Sequence, residues 1–264
     1  MQILKGRYSR LLLGGGAVII VAAVLTLIYG LYKWQESVDT LGVGYRHAED
    51  LTITEDMTVE ERKQAFFDFM RPIVKAENRR ISALRDRLQA ARQDKTPPAW
   101  VADVAENYGV DWSGEGRESE WRALLRRVDT VPLPLVLAQA ANESSWGRSR
   151  FARKGNNFFG QWCFSKGCGI VPKRRSAGKN HEVASFDTVN AAVRAYLHNI
   201  NTSGAYGGLR DIRYTARQQA RKPKAEALAA GLTRYSERGA AYVSEIRAMI
   251  RVNTPLMMQS QTAE

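Results

Sequence analysis

Cysteine and histidine are nearly missing from this chain: two cysteines and three histidines in 264 residues. His47, His181 and His198 show no ligand spacing. No second cysteine pair accompanies Cys163 and Cys168, which argues against a zinc finger or ribbon and leaves no metal site to expect. The sequence also lacks a Walker loop, paired finger spacing and an aromatic RNA-binding strand, so no nucleic-acid partner is expected. No internal repeat points to a solenoid, and no cofactor motif appears. Acidic residues are in deficit, 27 against 39 basic, for a formal charge of +12. Such an excess favours anionic partners without choosing among them.

Charge is wholly absent from one stretch, Leu11 to Tyr32. Its 22 residues are long enough to cross a bilayer core of about 30 Å at about 1.5 Å per residue. Lys5, Arg7 and Arg10 precede it, which places residues 1–10 in the cytoplasm and everything after Trp34 across the membrane. Tyr29, Tyr32 and Trp34 suit the far interface. A cleaved signal peptide is the alternative, but the run exceeds the usual ~7–15 apolar residues and ends in a poor cleavage site. A retained anchor over 11–32 is favoured. In an oxidising exported compartment, Cys163 and Cys168 should form a disulfide that shapes a hairpin more than it stabilises the fold.

Residues 33–57 read as a polar, membrane-proximal linker. Thr58–Val–Glu–Glu61 matches a capping box opening an amphipathic helix within 58–95. That helix carries Phe66, Met70, Ile73, Ile81, Leu84 and Leu88, and Pro72 should kink it. Its apolar face should dock on something, with a protein partner one possibility. Short helices follow before Asn107 and over 118–128. Pro134 suits the first turn of the helix that reaches Glu143. Residues 155–187 are rich in glycine, asparagine and basic residues, with short β-prone pieces, and predict an irregular lobe with a small hairpin. Helices resume from Val189, and residues 255–264 should form a loose tail. The fold class is mainly α (α+β), one helical domain over 96–254 with a β insert opposite the helix bearing Glu143.

The chemistry concentrates in Leu135–Val–Leu–Ala–Gln–Ala–Ala–Asn–Glu–Ser–Ser–Trp–Gly147. A carboxyl at the end of a buried helix, beside an indole, is partly desolvated, and desolvation raises its pKa. A glycosidase keeps its acid protonated by this means. The alternative is an ordinary solvated glutamate where a helix stops. Rings and amides near the motif are candidates for stacking on sugar faces and bonding hydroxyls: Trp146, Asn156, Asn157, Phe159, Gln161, Trp162 and Tyr206; for each Phe or Trp, packing in the core is an equal alternative. Asn156 and Asn157 have a second possible task, fixing a turn.

Ala138–Gln–Ala–Ala–Asn–Glu–Ser–Ser–Trp–Gly–Arg–Ser149, with Gly155–Asn–Asn–Phe–Phe–Gly160, resembles the glucosaminidase-type peptidoglycan hydrolases. Lys63–Gln–Ala–Phe–Phe–Asp–Phe–Met70 and the Cys163/Cys168 loop resemble the Bax-like subgroup. The resemblance spans roughly residues 60 to 252. It implies a lysozyme-like helical fold, peptidoglycan glycan strands as substrate, and a bacterial inner-membrane protein whose C-terminal domain faces the periplasm or wall. It implies that Glu143 is the general acid. It further implies a required tyrosine in Tyr235–Ser–Glu–Arg–Gly–Ala–Ala–Tyr242, with Tyr235 favoured and Tyr242 assigned to packing. Ser236 stands where the family usually has alanine. A second carboxylate would come from the β lobe, with Glu182 favoured over Asp187. A lytic transglycosylase and a wall-binding scaffold without activity remain the competing functions.

Overall fold

The computed structural model describes residues 44–259, apart from positions 174, 176, 177 and 179. The apolar run 11–32 lies outside the described residues. Among the described residues no helix is long and apolar enough to cross a membrane.

Helix α1 (Val59–Ala91) starts as its sequence dictates. The Glu61 amide donates to Thr58 Oγ1 and the Thr58 amide to Glu61 Oε2, at 3.2 and 2.7 Å. The helix continues through Pro72, unbroken to Ala91. Then come α2 (Trp100–Asn107), α3 (Glu118–Arg127) and α4 (Leu133–Ser144). Short α5 (Arg150–Gly155) leads into three small strands, β1 (Trp162–Cys163), β2 (Gly169–Ile170) and β3 (Glu182–Ala184). The chain finishes with α6 (Val189–Thr202), α7 (Gly207–Gln218), α8 (Ala225–Ala229) and α9 (Ala240–Met258).

Helix α4 is the axle of the fold. Residues 135–141 are all buried, and its most extensive contacts are with α9 and α1. A helix apolar all round must be covered all round, and α1 supplies one wall. Phe66, Phe67, Met70, Ile73 and Val74 have no exposed surface, while Leu88 joins Val101, Ala105, Trp121 and Leu124 in a second cluster. The surface that this amphipathic helix was expected to dock on is therefore its own chain, and its apolar face is not left open for another protein. Polar links reinforce the packing. Arg194 forks onto both oxygens of buried Glu77 at 2.9 and 3.1 Å, joining α1 to α6. Asn78 exchanges two hydrogen bonds with the backbone of Val131.

Two expectations at the edges need correction. The second half of the linker is docked: the Arg46 amide donates to Asn190 Oδ1, the Ala48 amide to Asn156 Oδ1, and Ala48–Asp50 form a 3-10 turn. The start of the tail is not loose either. Pro255 lies inside α9, Met257 is fully buried, and the Arg71 guanidinium donates to the carbonyls of Met257 and Leu256. A cation among unpaired carbonyls at a helix C-terminus closes that end.

The β lobe is a three-stranded antiparallel sheet with β3 in the middle, rather than one hairpin. Trp162 sits opposite Val183, Cys163 opposite Glu182, and Ile170 opposite Val183. Phe158 and Phe159, within the stretch read as β-prone, form no strand and are buried in the core. The disulfide Cys163–Cys168 is present, with the two Cα atoms 6.2 Å apart.

Candidate functional site

Helix α4 stops abruptly just after Glu143. Ser145, Trp146 and Gly147 take φ values of 50, 58 and 77° in succession, the left-handed region. For non-glycine residues this costs about 1–2 kcal/mol each, so the surroundings must enforce it. The Trp146 amide returns to the Ala141 carbonyl at 2.8 Å, the Gly147 amide to Ser144 Oγ at 2.7 Å, and the Ser149 amide to the Ser144 carbonyl at 2.9 Å. At Gly147 a Cβ would lie 2.4 Å from Leu51 Cδ2. The Glu-Ser-Ser-Trp-Gly run is thus a tight stop that fixes the last helical turn, and with it Glu143.

The Glu143 carboxyl is half-buried, and burial pushes its pKa above the ordinary carboxylate value. Hydrogen bonds from Tyr242 and Asn142 and the charge of Arg238 oppose that rise, while Glu245 adds to it. The Tyr242 hydroxyl donates to Oε1 at 2.8 Å, and Asn142 Nδ2 approaches the same oxygen at 3.4 Å. Oε2 faces Gly160, whose Cβ position would be 3.8 Å away. One oxygen is held by donors and the other looks toward the backbone of the Phe159–Gly160 turn.

Behind Tyr242 runs a buried chain of polar groups. Gln139, four residues before Glu143 on the same helix, is fully buried, and its Nε2 donates to Tyr242 Oη at 3.0 Å. The Tyr196 hydroxyl donates to Gln139 Oε1 at 2.5 Å. With its oxygen accepting from Gln139, Tyr242 has its own proton directed at Glu143. Burial and the neighbouring carboxyl both hold the Tyr242 hydroxyl far above the usual phenol range, so it stays neutral.

Tyr235, the tyrosine favoured from the sequence, takes a different place. Its hydroxyl donates to the Phe159 carbonyl at 2.9 Å, and its ring stacks on Tyr242 at 5.4 Å with 5° between planes. Tyr206 adjoins Tyr235, ring centres 5.9 Å apart. The tyrosine that touches the acid is Tyr242, expected from the sequence to pack, and not Tyr235. The signal available was Gln139: a lone amide on an otherwise apolar helix face, one turn before Glu143, requires a polar partner.

Several proposed sugar contacts turn out to be scaffold. Asn157 is 1% exposed and uses both ends of its amide. Its nitrogen donates to the carbonyls of Gln161 and Ala184, and its oxygen accepts from the amides of Phe159 and Gln161. Asn156, left-handed at φ 51°, donates to the carbonyls of Phe186 and Asp187 and accepts from Ala48. The pair fixes the turn and stitches it to the β lobe. Gln161 donates to the Ala192 carbonyl at 3.0 Å. Phe159, 2% exposed, stacks on Tyr196 with ring centres 4.0 Å apart. Trp146 packs edge-on against Phe66 and Phe67 at 5.5 and 5.4 Å. Trp162 alone of the set is widely exposed, 60%, and stacks on His181.

Glu182 also receives a structural task. Its carboxylate accepts from the amides of Gly167 and Gly169 at 3.1 and 2.9 Å, on either side of Cys168. Those bonds hold its pKa below the ordinary value. Both oxygens are committed to the disulfide loop, which a water-activating base cannot afford; Asp187 is exposed. Glu182 lies within 4.8 Å of the two cysteine sulfurs, but bridged sulfurs are not thiolate ligands, so the trio is no metal site.

No solved structure matches the chain. Among curated proteins, Protein bax of Escherichia coli (strain K12) is 36% identical over 200 residues, covering 74% of this chain and 71% of that protein. Residues 119–254, which carry Glu143, the Asn156–Asn157 turn and Tyr242, match the family model described as mannosyl-glycoprotein endo-beta-N-acetylglucosaminidase. The chain is a member of the glucosaminidase family.

Proposed function

We propose that the protein is a glycoside hydrolase that cuts the glycan strand of peptidoglycan at N-acetylglucosamine linkages, with Glu143 as general acid. The observation that carries this is the Glu143 carboxyl itself: half-buried, raised in pKa and fixed at the stop of α4. Tyr242 and Asn142 occupy Oε1, so the proton for the leaving group belongs on Oε2, the oxygen facing Gly160. In the reaction that proton passes to the glycosidic oxygen as the bond to C1 breaks, and water completes the cleavage. Glu143 is left as a carboxylate, which the Tyr242 hydrogen bond stabilises. The anionic wall polymer suits the basic surface. Residues 11–32 would anchor the chain in the inner membrane with the enzyme on the outer side.

A lytic transglycosylase is the second reading. The commitment of Glu182 to Gly167 and Gly169 favours it, because that reaction asks for one acid and lets a sugar hydroxyl attack. Mass spectrometry of peptidoglycan digested by the purified protein separates the two. Reducible N-acetylglucosamine ends, absent with Glu143→Gln, support the hydrolase, and 1,6-anhydro ends support the transglycosylase. A folded wild-type protein that releases nothing across pH and salt overturns both.

A further inference from the structure

Beside the acid lies a groove of about 520 Å³ that the glycan reading does not use. One wall comes from α1 and the stop of α4, with Lys63, Asn142, Trp146 and Arg148; the other is α9, with Met249 and Val252. Its chemistry is two-sided. Lys63 Nζ sits over the Trp146 ring at 5.7 Å, and Arg148 is exposed with its Nε on the Ser145 carbonyl. Opposite them, Val252 is 70% exposed, an aliphatic surface that water covers poorly. The groove's acidic residue, Glu245, is paired with Arg238 at 2.5 Å, so it does not cancel the two cations.

From this we infer that the groove is an accessory subsite for a short acidic peptide carried on the glycan strand, whose carboxylate meets Lys63 and Arg148 while its aliphatic part lies against Met249 and Val252. The inference rests on the proposed glycan substrate and adds a requirement to it. Asn142 connects the two regions: it lines the groove and its side chain approaches Glu143 Oε1. A peptide there would be bound one residue from the acid, so strands that bear peptides should bind better than bare strands. The groove differs from a pure sugar subsite in its charge. Neutral hydroxyls gain little from two cations, whereas a carboxylate gains a charge-assisted bond from each.

The test compares glycan oligosaccharides of equal length with and without their peptides. Their binding to the full-length Glu143→Gln protein is measured by calorimetry, with and without Lys63→Gln and Arg148→Gln together. Two exposed ion pairs correspond to a preference of roughly three- to tenfold for the peptide-bearing strand. That preference should vanish in the Lys63→Gln/Arg148→Gln protein and shrink at high salt, with affinity for the bare strand unchanged. Equal binding of the two strands, or a preference that survives both substitutions, overturns the subsite. Hydrolysis of the bare strand by the wild-type protein tests the glycosidase reading separately: cleavage without peptide preference sinks the subsite alone. Neither binding nor cleavage of any strand sinks both.

Discussion

Replacing Tyr242 with phenylalanine tests the central geometry. The substitution keeps the ring that stacks on Tyr235 and removes one oxygen, which donates to Glu143 at 2.8 Å and accepts from Gln139 at 3.0 Å. A hydrogen bond to a charged group contributes about 1.5–3 kcal/mol. This one supports the ionised form of Glu143, against the burial that raises its pKa. Asn142 and water recover part of the loss, leaving the low end of that range. At about 1.4 kcal/mol per pH unit, the alkaline limb of the activity profile should move up by roughly one unit. The sign follows from the role: with its ionised form less stable, the acid keeps its proton to higher pH. Buried Gln139 Nε2 also loses its acceptor, at a cost to folding of about 1–3 kcal/mol. Initial rates on solubilised glycan from pH 4 to 9, with thermal melts alongside, give both quantities. A uniform fall in rate with an unmoved alkaline limb would refute the assignment of Glu143 as the titrating acid held by Tyr242.

Glu143→Gln should abolish cleavage yet raise the melting temperature at neutral pH. A carboxyl whose native pKa is raised costs stability above its ordinary value of 4.5, and that cost fades as pH falls toward it; melts at two pH values check the trend. Asn157→Ala removes four hydrogen bonds from a buried turn and should cost at least about 2 kcal/mol by denaturant unfolding. Gly147→Ala drives a methyl into Leu51 at a left-handed position and should cost about 2 kcal/mol or more, whereas no loss would contradict the tight stop after α4. Glu182 has a lowered pKa, so its hold on the disulfide loop is complete above its ordinary value of 4.5 and is lost as pH drops through the lowered one. Amide exchange at Gly167 and Gly169, corrected for intrinsic rates, should therefore quicken at acid pH before the core does.

Local signals were legible in the chain and long-range partners were not. The Thr58–Glu61 capping box, the apolar helix ending at Glu143 and the close cysteine pair each depend on residues within a few positions, and each is found as expected. Tyr235 and Tyr242 lie on opposite sides of a glycine turn, and which one reaches Glu143 depends on how α9 packs on α4. Gln139 signals that a polar partner exists, but no local pattern says which tyrosine it is. Asn156, Asn157 and Phe159 looked like binding groups because amides and rings suit sugars, but a turn with many unpaired backbone groups draws on the same chemistry. Trp146 takes the packing alternative on one face, for a related reason. Its left-handed backbone turns the indole onto Phe66 and Phe67, eighty positions earlier in the sequence.

The place of α1 has a consequence for autonomy. The family match begins at residue 119, yet the buried faces of Phe66, Phe67 and Met70 belong to a helix that ends at Ala91. The bounds of the family model and of the packed unit therefore differ. A truncation at the family boundary would strip α4 of one wall and expose the aromatic seat of Trp146. Proteases that nick the chain between α1 and α3 should leave two pieces that stay together and remain active, because what joins them is packing rather than the peptide bond. The family-matching region is not a cassette that travels alone; it carries α1 as part of its own interior.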